Sequence, residues 1–223
     1  MANIRDILSP RVAAFCGVVG PLIGFASIAL AVTVSASWFN WFSNALSDLG
    51  HPYMLGGLHG VPGFNPAALI FNAGMFITGI ITLLPGFQLV RVQRTEKSII
   101  GTLGGLLFIA SMIFLSGVGI CNESAELLLL HIITAGGFFI SLMLASILYG
   151  VALLRFVGTR REGLLALFLS IVITVTFFFG FRLIPGAAIP EMIIAVAGFL
   201  WLLPICFRLY HYAGKMGSLG PAW

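Results

Sequence analysis

Charge is what this sequence has least of. Of its 223 residues, 11 are Lys or Arg and 7 are Asp or Glu, so only 8% carry a formal charge. Soluble domains carry roughly 25%. So few charges cannot cover a water-exposed surface. That excludes an ordinary cytosolic enzyme, a disordered chain and a free nucleic-acid-binding domain, so no nucleic-acid partner is expected. Cysteine is scarce as well. Cys16, Cys121 and Cys206 form no close, even-numbered disulfide framework. No Cys/His pair has zinc-finger spacing. Short catalytic strings are also missing. There is no Gly-x-Ser-x-Gly elbow and no His-Glu-x-x-His, and Gly104-Gly105 is not followed by the Lys-Ser/Thr of a phosphate loop.

What is there is hydrophobic. Apolar residues make up 60% of the chain, and they come in runs near the ~20 residues that cross a bilayer as a helix. Spans are expected at 12–34, 66–90, 99–120, 127–154, 164–184 and 189–209. The first run exceeds the ~7–15 residues of a signal-peptide core, so it is read as a retained helix. The expectation is an all-α integral membrane protein, with six transmembrane helices in one bundle and a single domain over 1–223.

Six spans divide the basic residues sharply. Arg5, Arg11, Arg91, Arg94, Lys97, Arg155, Arg160, Arg161, Arg208 and Lys215 fall on one side, and Arg182 alone on the other. The positive-inside rule then predicts an N-in/C-in arrangement, and the net charge of +4 reads as topology rather than as an anionic partner. Asp48, Glu123, Glu126 and Glu191 lie on the outer side, with His51, His59 and His131. The long outer loop between helices one and two, 35–65, is rich in Gly, Trp, Asn and His. Trp38, Trp41 and Tyr53 in it suit a membrane interface. A short interfacial helix around 40–49 and a Gly/Pro-rich cap are expected there.

Ionisable and amide groups near lipid are costly and mark candidate sites. Ser47 and Asp48 suit local backbone capping or a polar pocket. Asn72 sits two turns into an apolar helix, and its amide is expected to bond another helix. Glu123 and His131, eight residues apart, would share one helix face. Arg182 is expected to pair with a carboxylate, namely Glu123, Asp48 or Glu191. Glu191 opens the last span just after Pro190. The candidate catalytic set is therefore Asp48, His131 and Glu191, with Ser47, Asn72, Glu123 and Arg182 as binding residues. A hard, oxygen-rich set with one histidine would suit a divalent metal such as zinc.

Together these strings resemble a multi-pass family of archaea and bacteria called "domain of unknown function 998". The matching strings are Ser47-Asp48-Leu49-Gly50 after the first helix, Phe71-Asn72 early in the second, and the Gly-rich stretch from Gly117 to Glu123. His131 early in the fourth helix and Glu191 opening the last complete them. The turn Gly119-Ile120-Cys121-Asn122-Glu123 departs from the family's commoner Phe-Pro pattern. The resemblance implies a six-helix bundle in a prokaryotic plasma membrane and no established activity.

Two functions remain level at this stage. One is lipid head-group binding, or metal-assisted hydrolysis or transfer, at an outer-leaflet polar pocket, with membrane lipids as partners. The other is a non-catalytic role beside other membrane subunits or as a homo-oligomer, served by packing glycines and 20 Phe. A small transporter is disfavoured, because the inner halves of the spans carry almost no polar residues and Pro85 and Pro204 lie away from the midplane.

Overall fold

The computed structural model describes residues 9–55 and 60–212. Arg5, Asp6, His59 and Lys215 lie outside the described residues. Six helices are long and apolar enough to cross a membrane: α1 (Pro10–Val34), α2 (Ala67–Thr95), α3 (Ile99–Ile120), α4 (Leu128–Leu153), α5 (Val157–Leu183) and α6 (Ala188–Tyr212). The chain is thus an integral, multi-pass membrane protein.

Two spans are longer than hydropathy predicts. Helix α2 runs past Val90 to Thr95, and α5 starts at Val157 rather than near 164. Hydropathy marks only the part of a helix that suits lipid, whereas the backbone ladder continues into polar surroundings at no penalty. Arg94 in the last turn of α2 and Glu162 in the first helical turn of α5 both complement the helix dipole. The starts of α1 and α3 are capped. Ser9 Oγ accepts from Val12 N at 3.3 Å, and Ser98 Oγ accepts from Gly101 N at 3.1 Å.

Each helix packs against the next along the chain, and α6 closes back onto α1. The result is a ring of six helices in sequence order. Glycines let neighbours approach. A Cβ on Gly24 would meet Thr78 Oγ1 at 2.9 Å, and one on Gly104 would meet Tyr149 N at 2.8 Å. At the end opposite the long connection, Arg208 of α6 binds Glu162 and the carbonyl of Gly158, tying the start of α5 to the end of α6.

The connection between α1 and α2 is not the expected interfacial helix. Residues 41–43 form a turn, and Ser47–Gly50 is a single 3-10 turn. The physical reason is local competition for the backbone. Asn44 Oδ1 accepts from Asn40 N at 2.9 Å, Asn40 Oδ1 from Phe42 N at 2.8 Å, and Asp48 Oδ2 from Ala45 N at 3.0 Å. Asp48 thereby takes the Ala45 N–H that a helix over 40–49 would need. Beyond them, β1 (Met54–Leu55) and β2 (Val61–Pro62) pair as a short antiparallel hairpin.

Candidate functional site

The turn 44–51 is pinned into one end of the ring. Leu46 and Leu49 are buried. Asn65, just ahead of α2, donates from Nδ2 to the carbonyls of Leu49 and His51 at 3.1 and 3.0 Å, while its Oδ1 accepts from Ala67 N. Asn72 Nδ2 donates to Gly50 O at 2.9 Å. The expected partner of Asn72 was another helix; its partner is this turn. A Cβ on Gly50 would meet Asn72 Oδ1 at 2.5 Å, so the Asn72 amide would have to shift. From the other side, Ala188 N donates to Asn44 O at 2.9 Å and Leu46 N to Glu191 Oε2 at 2.6 Å.

This pinning brings acids from three chain segments together. Asp48 Oδ2 accepts from Asn44 Nδ2 at 2.8 Å. Ser47 Oγ donates to Glu123 Oε1 at 2.7 Å. Asp48 is a hydrogen-bonding neighbour of Glu123, and both carboxyls lie within electrostatic reach of Glu191. Glu123 Oε2 is buried with no donor. The neighbouring Asp48 carboxyl makes a negative charge on Glu123 costlier. Burial, with Asp48 adding to it and the Ser47 hydroxyl opposing, pushes Glu123 up to about 7. Burial also pulls His51 below the usual imidazole range, against the pull of Asp48 and a backbone hydrogen bond.

His131 joins the cluster by a route the spacing does not predict. Glu123 is not on α4, which starts at Leu128; it lies in the turn 121–127. That turn folds back so that His131 Nε2 stands 3.6 Å from Glu123 Oε1. His131 Nδ1 lies 2.6 Å from Cys121 O. A carbonyl only accepts, so Nδ1 carries the hydrogen and Nε2 faces the carboxyls. Ser47 donates to Glu123 rather than to His131, so no nucleophile–base pair forms there.

Arg182 does not join. It is exposed near the end of α5, and among the described residues it makes no ion pair with a carboxylate. The expected Arg–Glu clamp is therefore not made. No group of three His, Cys, Asp or Glu donors among the described residues is placed to hold a metal ion.

Beneath the cluster lies a cavity that composition could not reveal. Leu46, Ser47, His131 and Glu191 line one end of it, and Thr82, Phe108, Leu142 and Leu202 lie deeper. Every span except α5 contributes to its wall. Its volume is about 130 Å³, against the ~10–15 Å³ one water needs. The α6 residues on its wall run from Glu191 to Leu202, roughly 16 Å at ~1.5 Å per residue. Its walls are almost wholly apolar, unlike the polar pocket expected from the outer acids. Among the described residues, no Lys or Arg lines it.

These features define a multi-pass helical membrane protein with an acidic cap at one end of the ring. The chain belongs to the family described as "Protein of unknown function (DUF998)", whose profile matches residues 18–208. No curated protein matches the chain, and no solved structure does.

Proposed function

We propose that this protein binds a single-chain membrane amphiphile, with the tail in the apolar cavity and the polar head at the Asp48–Glu123–His131–Glu191 cap. One observation carries the reading: an elongated apolar cavity that ends on the cluster. Its depth along α6 is over half of the ~30 Å hydrocarbon core, about the reach of one leaflet. The sign of the loops supports an N-in/C-in orientation, which puts the cap at the outer leaflet. Apolar walls with a few convergent polar groups are the usual composition of a small-molecule site.

Native mass spectrometry of the gently extracted protein tests this. The expected result is the 23.8 kDa chain, or a small multiple, carrying a discrete lipid-sized adduct. Ala195→Phe, which places a ring in the cavity, removes that adduct. An adduct equally abundant in Ala195→Phe overturns the reading. So does a mass explained only by other polypeptides.

A further inference from the structure

We infer that the cavity selects its ligand by tail length: it takes one chain of about ten to twelve carbons and no longer. This specifies the ligand of the binding role proposed above and rests on that role. The ring is hollow in the half nearer the cap and plugged in the other half. The cavity wall runs from Val118 to Phe108 on α3, from His131 to Leu142 on α4 and from Glu191 to Leu202 on α6. Each stretch spans ten or eleven residues, roughly 16 Å at ~1.5 Å per residue. Three helices thus end the space at a common depth.

What ends it is aromatic. Phe108, Trp201 and Tyr149 are among the largest fully buried side chains, one each from α3, α6 and α4. The Trp201 ring centroid lies 5.6 Å from Phe108, edge to face, and 6.1 Å from Tyr149. Phe108 is on the cavity wall, whereas Trp201 and Tyr149 are not. Tyr149 lies seven residues past Leu142 on α4, roughly 10 Å deeper. There α3 and α4 close up, since a Cβ on Gly104 would meet Tyr149 N at 2.8 Å. Interlocked rings at interior density do not give way as a flexible side chain would. Water does not suit the space, because it needs ~2–4 polar partners. An apolar chain gains contacts on every side. An extended hydrocarbon advances ~1.3 Å per carbon, so roughly 16 Å takes about twelve. The volume of about 130 Å³ is that of roughly ten waters, each about the size of a methylene. Length and volume give nearly the same carbon count, which leaves no room for a second chain.

The test uses the full chain in amphipol with an equimolar mixture of octanol, decanol, dodecanol, tetradecanol and hexadecanol, read by native mass spectrometry. One-to-one adducts of decanol and dodecanol are expected to dominate. Hexadecanol should be at least about tenfold rarer, because its last carbons meet the aromatic floor. Octanol should also be rarer, since each missing methylene leaves wall without contact. Leu202→Phe and Leu142→Phe each fill the deep end and should shorten the preferred tail by about two carbons. Trp201→Leu opens the floor and should lengthen it. The two filling variants keep the test decisive if Trp201→Leu misfolds. Adducts that grow steadily up to hexadecanol, or a preferred length unmoved in both filling variants, overturn the length limit and leave the binding role standing. Wild-type protein that retains none of the five alcohols overturns both.

Discussion

Single residues decide how this cap behaves with pH, and Glu123 is the one that reports on it. Its carboxyl is raised from the ordinary 4.5 to about 7, chiefly by burial. The folded chain therefore holds a proton that the unfolded chain releases between these values. Stability from this group is complete below about pH 4.5 and is lost as pH rises through about 7, by up to ~3 kcal/mol. His51 contributes with the opposite sign, because burial lowers its pKa and stability falls when it must charge. The two are separated by difference. The melting temperature of wild type minus that of Glu123→Gln should fall steadily from pH 5 to pH 7. A flat difference would show that Glu123 titrates as an ordinary carboxylate. Ser47, Asp48, Glu123, His131 and Glu191 were all legible as candidates, because polar residues near lipid are conspicuous. Asn65 binds Ala67 N at the start of α2. Its second role, holding the carbonyls of Leu49 and His51, depends on how the loop returns.

At the scale of elements, the helix pairs are set by glycines whose neighbours the sequence does not name. A Cβ on Gly79 would come within 2.6 Å of Met112 O and 2.7 Å of Ser116 N on α3. Backbone cannot swing aside as a side chain can. Gly79→Ala should therefore push α2 from α3 and cost about 1–3 kcal/mol in a reversible unfolding titration. Gly136 on α4 has nothing within 4 Å of a built Cβ. Gly136→Ala should be neutral or stabilising by up to ~1 kcal/mol, since alanine is the better helix former. Equal losses at both positions would mean that close packing is not what Gly79 serves. The interfacial helix expected at 40–49 is missing for a local reason: Asp48 takes the Ala45 N–H that it would need.

The whole molecule is a ring of spans with opposite ends of opposite character. Arg11, Arg91, Arg94, Lys97, Arg155, Arg160, Arg161 and Arg208 cluster at one end, and the acidic cap sits at the other. The charge bias predicts that the basic end faces the cytoplasm. Reporter fusions check this. A phosphatase fused within 35–43 should be active, and one fused within 155–159 inactive. The reverse pattern would place the cap on the inner leaflet.

The sequence alone determined that this chain lives in a membrane, how many times it can cross and which residues are costly there. Those properties follow from local composition, because twenty apolar residues are unfavourable in water whatever their neighbours. Tertiary structure alone decided that Asp48, Glu123, His131 and Glu191 meet, that Arg182 does not, and that an apolar cavity lies beneath them. The reason is that an apolar helix is nearly uniform around its circumference. Hydropathy therefore cannot say which face looks inward. Only the packing of all six helices, and the return of the 44–51 turn between α2 and α6, assigns the faces and leaves the space.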